Sequence, residues 1–150
     1  MPFWDILHNK LLWAVVASGM STQILKAFAS VIWEGRLNWR RTLEPGGMPS
    51  SHAAASATLA AMTGLNYGFD SWLFALSLYV AFVVMYDAAG VRRAVGRQAM
   101  VLNRILASRN LKKRAQGLQI KELLGHTPVE VLAGCILGII WGLIFHYLIG

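Results

Sequence analysis

Charge is what this sequence has least of. Asp and Glu together number 7 in 150 residues, and all charged residues make up 14%, against about 25% in soluble domains. That deficit excludes an ordinary water-soluble domain. Cysteine is nearly absent too: Cys135 stands alone inside an apolar run, so an intrachain disulfide is impossible and a cysteine metal site has no ligands. The first ten residues, MPFWDILHNK, lack the basic n-region and cleavage site of a signal peptide, so they are expected to remain in the mature protein. No internal repeat and no dense carboxylate cluster is present. Length allows one domain, residues 1–150, and not comfortably two.

What the chain has instead is apolar surface. Hydrophobic residues make up 56%, and mean hydropathy is +0.49. A membrane span needs about 20 mostly apolar residues. Segments 11–33, 71–86 and 129–150 fit that demand. A fourth segment, starting at His52 with HAAASATLAAMTGLNYG, is short and built of small residues. It is too polar to face lipid, and it is expected to pack among the other three. The predicted fold is therefore all-α: an integral membrane bundle of about four helices. Residues 94–110 read as an added amphipathic helix on the cytoplasmic side, with Val95, Leu102, Ile105 and Leu106 on one face. MPFWDIL fits an interfacial turn.

If all four segments cross, every Lys and Arg except Lys10 and Lys26 falls on one side. The positive-inside bias makes that side cytoplasmic. The basic run RNLKKRAQG lies there, either as a solvated loop or drawn to anionic lipid.

The polar residues gather on the same side. GGMPSSH, residues 46–52, is a glycine-rich turn entering a helix, and such a turn is an anion site. Gly47 supplies the turn, Ser50 and Ser51 supply hydroxyls, and His52 supplies a proton donor near neutral pH. The competing role for Ser50 or Ser51 is plain helix capping. HTPVE, residues 126–130, reads as a capping box with Thr127 at the N-cap, Pro128 first in the helix and Glu130 at the third position. A Glu130 folded back to the cap also lies near His126 and can orient its ring. Lys26 stands inside the first span, where ionisable residues are costly and usually functional, though a lysine can also snorkel to the interface. Gln23, one turn back, shares its face. Asp87, Arg92, Arg93 and Arg97 end the third segment, as flanking charges or as a phosphate clamp. Gly134, Gly138 and Gly142 form a small-residue packing stripe. His8, His146 and the tryptophans suit interfaces or packing.

Together PSSH, HTPVE and the buried Lys26 resemble the type 2 phosphatidic acid phosphatase superfamily. With DAAGVRR and RQAMVLN added, the chain resembles over nearly its whole length the divergent bacterial and plastid branch, labelled acid phosphatase/vanadium-dependent haloperoxidase-related. The resemblance implies that His126 is a nucleophile forming a phosphohistidine, that Glu130 orients it and that His52 protonates the leaving alkoxide. It implies that Lys26, Ser50 and the amides around it bind phosphate, and that no metal or other cofactor is required. Three features depart from the superfamily pattern. Position 33 is Trp where an arginine is usual, Ser51 replaces a glycine, and LQIKELLGH lacks the arginine that usually precedes the nucleophile. Arg92 and Arg93 are the candidates to replace that arginine.

The expected function is hydrolysis of a phosphomonoester on a lipid or other amphiphile, in a bacterial inner membrane or plastid membrane. Partners are then membrane lipids and the phosphorylated lipid itself, with no nucleic acid. The alternative is a protein that binds or transports lipid phosphates without turnover.

Overall fold

A computed structural model describes residues 3–42, 46–107, 120 and 125–149. The basic run at 109–117, most of the stretch before Gly125, and the side chains of Trp33, Arg40 and Arg41 lie outside the described residues. Among those described there is no strand.

A 3₁₀ turn at Phe3–His8 leads into α1, Lys10–Glu34. Asn9 caps α1, accepting from the Leu12 amide at 3.0 Å, and Gly35 ends it in the left-handed conformation with φ 67°. Helix α2 is Ser51–Tyr67, capped by Ser50, and α3 is Trp72–Tyr86, capped by Ser71. A π-helical turn, Asp87–Val91, carries α3 on into α4, Arg92–Leu106. Helix α5 is Pro128–Ile149. The expected amphipathic helix is thus shifted: it starts at Arg92 and is continuous with the third span. Val95, Leu102 and Ile105 are exposed on it.

Three stretches are long and apolar enough to cross a membrane: Lys10–Ile32, Trp72–Leu106 and Pro128–Ile149. At 17 residues, α2 is about 25 Å long, and it runs beside the others from end to end. A Cβ on Gly134 or Gly138 would overlap the carbonyls of Ser50 or Ala54, and one on Gly142 would press on Ala61. These three contacts show α2 and α5 running parallel in close register. Helices α1 and α3 run antiparallel to α2, and Ser18 meets Thr58 at 2.7 Å while Thr63 meets Ser77 at 2.5 Å.

The interior is small and polar, and the exterior is large and apolar. Buried positions are mostly Ala, Gly, Ser and Thr, with Met62 the largest fully buried side chain. Ile32, Leu76, Phe82, Ile136 and Leu148 face outward. That inversion suits lipid, where close backbone approach and interhelical hydrogen bonds replace the hydrophobic effect as the glue. Thr58 donates to the Gly138 carbonyl at 2.8 Å, so the hydroxyl pair with Ser18 ties α1, α2 and α5 at one level.

Gly138→Leu should therefore destabilise the bundle by about 1–3 kcal/mol or more, seen as a lowered melting temperature in detergent. Gly90→Ala is the control. Its Cβ would meet nothing within 4 Å, so melting should be unchanged or raised. Equal behaviour of the two variants would overturn the packing assignment.

Candidate functional site

The polar residues converge where α2 and α5 begin. Gly46 and Gly47 have φ of 91° and 84°, values that side-chain-bearing residues rarely adopt. Two such residues in a row bring the chain sharply into α2, with Met48–Pro49 cis. Ser50 then caps the helix, its Oγ accepting from the Ala53 amide at 3.4 Å. The Ser50 amide donates to the Glu130 carbonyl at 3.1 Å. That bond stitches the start of α2 to the first turn of α5. Two helix N-termini, each carrying partial positive charge, therefore meet at one place. The first amides of α2, those of Ser51 and His52, have no acceptor within their own helix.

The start of α5 is built as the sequence suggests. Glu130 Oε2 accepts from the Thr127 amide at 3.1 Å, and Thr127 Oγ1 accepts from the Glu130 amide at 3.3 Å. The same Glu130 oxygen lies 3.1 Å from His126 Nδ1. One carboxylate thus closes the capping box and holds the imidazole. His126 is 6% exposed. Its amide donates to the Ala88 carbonyl in the π-turn at 3.1 Å, and that turn, where Arg92 N–H reaches back to Asp87 O, supplies the docking surface. Gly125 makes the approach possible, since any Cβ there would overlap the backbone of Arg92 and Arg93.

Burial pushes the His126 pKa below its ordinary 6.5, and nearby Lys26 adds to that. The Glu130 hydrogen bond and charge, and a contact with the Gly47 backbone, act the other way. The balance leaves the ring neutral at pH 7, which is the state a nucleophile needs.

Lys26 is 4% exposed. Its stem runs beside Gly47, where a Cβ would sit 3.4 Å from Lys26 Cε. It is therefore drawn into the site and not snorkelled to water. His52 is exposed on the first turn of α2 and feels Arg92, His126 and Lys26 electrostatically. Arg92 Nε donates to Asp87 Oδ2 at 2.6 Å, which holds the guanidinium in place.

Lys26, Gly47, Ser50, Ser51, His52, Arg92, His126 and Glu130 thus share one end of the bundle. Both serines are buried, and the Ser50 hydroxyl takes the capping role offered for it, accepting from the Ala53 amide. Arg92, and not Arg93, is the arginine that His52 feels. Gly125 and the Ala88 carbonyl were not anticipated. The glycine directly before His126 was the available signal for the first, and nothing in DAAGV marks a π-turn. His146 lies at the opposite end, its Nδ1 2.6 Å from Asn66 Oδ1.

The Divergent PAP2 family matches residues 7–141. The chain belongs to that family. It is also 36% identical over 154 residues to YuiD, an uncharacterized membrane protein of Bacillus subtilis (strain 168), across 95% of this chain and 98% of the relative. No solved structure matches. The family match takes in the α2 entry and the α5 entry alike, so every candidate residue above lies within it.

Proposed function

We propose that this divergent PAP2 protein is a membrane phosphatase that hydrolyses a phosphomonoester of a lipid or other amphiphile. The observation that carries the proposal is a buried His126 with one ring nitrogen held by Glu130, set among Lys26 and two converging helix N-termini. That is an activated nucleophile inside an anion site.

In this mechanism the ring nitrogen of His126 that Glu130 does not hold attacks phosphorus as the ester P–O bond breaks. His52 gives its proton to the departing alkoxide. Water then attacks the phosphohistidine, His52 takes up a proton, and the N–P bond breaks to release phosphate. Lys26, Arg92 and the α2 amides neutralise the charge that builds on the phosphoryl oxygens. The contact between Gly47 and the His126 ring gives way as phosphate enters. The lipid tails stay in the bilayer, and the concentration of Lys and Arg on the histidine side favours a site facing the cytoplasm.

One feature favours a second reading, binding without turnover: the sequence has no arginine in the stretch just before His126. Phosphate release by purified protein in detergent, from a panel of lipid phosphates with and without EDTA, separates the two. Release that survives EDTA and is inhibited by orthovanadate is the expected result, since vanadate mimics the phosphoryl transition state. Full activity in excess vanadate would count against a histidine phosphatase. Stoichiometric binding of the lipids by folded protein with no release would favour the binding protein.

A further inference from the structure

Gln23 Oε1 is buried and has no hydrogen-bond partner. Inside a membrane protein such an acceptor is costly unless something satisfies it. Its place in the bundle says what that could be. Helices α1 and α2 are antiparallel, with Gly19 opposite Ala55, Ser18 bonded to Thr58 and Lys26 beside Gly47. Four residues up α1 from Gly19 is Gln23, and four residues back along α2 from Ala55 is Ser51. Both steps cover about 6 Å in the same direction. Gln23 therefore lies level with Ser51 and His52, and one turn of α1 from Lys26. The other orphan among the described residues, Trp141 Nε1, is on α5 beside Gly142 and belongs to the opposite half of the bundle.

With Gly19 against Ala55 and Lys26 beside Gly47 on the same stripe of α1, Gln23 faces α2 at the level of His52, next to the cluster that would hold phosphate. We propose that Gln23 reads the substrate headgroup there, its Oε1 accepting a hydrogen bond from a free hydroxyl near the phosphate. The preferred substrates are then phosphomonoesters of lipids with a hydroxyl-bearing headgroup, such as a glycerol unit with a free OH. Lipid phosphates without any donor at that position leave the acceptor unpaired. This inference rests on the phosphatase reading and narrows it.

The test uses two lipids that differ by one oxygen: a monoacyl glycerol phosphate, and a monoacyl propanediol phosphate with the same chain. The wild-type protein should prefer the first by about tenfold or more in kcat/KM, the ratio a single satisfied acceptor supports. Gln23→Met, similar in shape and without a strong acceptor, should bring the ratio close to one. It should do so by losing activity on the hydroxyl-bearing lipid, with the other lipid unchanged or improved. A general packing defect would lower both rates together and keep the ratio. Turnover of both lipids at equal rates by the wild type would overturn the role of Gln23 while leaving the phosphatase intact, even if the variant failed to fold. Release from neither lipid would overturn both proposals.

Discussion

Replacing His126 by alanine is expected to abolish phosphate release, with kcat falling by at least about 10⁴-fold, while the protein remains folded. The fold survives because the backbone at 126 does the structural work. Its amide bonds to the Ala88 carbonyl, and the Thr127–Glu130 capping box is formed by atoms that the substitution leaves alone. What disappears is the nitrogen proposed to attack phosphorus. A rapid alkaline quench of wild type with labelled substrate should trap a base-stable phosphoprotein that loses its label in acid, as expected of a phosphohistidine, and the alanine variant should trap none. Size-exclusion behaviour and melting temperature supply the check on folding. Normal turnover by a well-folded His126→Ala protein would sink the nucleophilic mechanism, whatever else in the site were correct.

The parts of this site that were legible in the sequence are those set by local geometry. His126 and Glu130 are four residues apart around a helix start, so a capping box almost forces them together. Span boundaries were also readable, because hydropathy and caps coincide: the segment expected at 129–150 is Pro128–Ile149, and that expected at 11–33 is Lys10–Glu34. The glycine stripe on α5 was read from spacing alone, and each of its three members touches α2. Less legible was anything that depends on how one element docks on another. A pair of arginines and a glycine after Tyr86 suggest a break, yet the helix continues through a π-turn, and that turn offers His126 its backbone anchor. Serine next to a glycine-rich turn suits phosphate and capping equally. Only the close approach of α5 decides that Ser50 is enclosed and serves the cap.

Glu130→Gln should lower kcat by about 10²- to 10⁴-fold and, in the same variant, move the acid limb of the pH profile downward. The sign follows from the forces on His126. Burial, the largest, and Lys26 push its pKa below 6.5, while Glu130 pushes it up through a hydrogen bond and through charge. In the wild type, activity is expected to fall as pH drops through that depressed pKa and the ring takes up a proton. Removing the carboxylate charge removes an upward push, so the ring stays neutral to still lower pH. The rate falls nonetheless, because an amide cannot stabilise the positive charge that develops on the ring during attack. Glutamine is accepted at this position of a capping box, so the start of α5 should persist. A loss of stability with an unmoved acid limb would mean that Glu130 serves only as the helix cap. A slower enzyme whose acid limb has shifted downward is what a carboxylate that both caps the helix and holds the nucleophile must give.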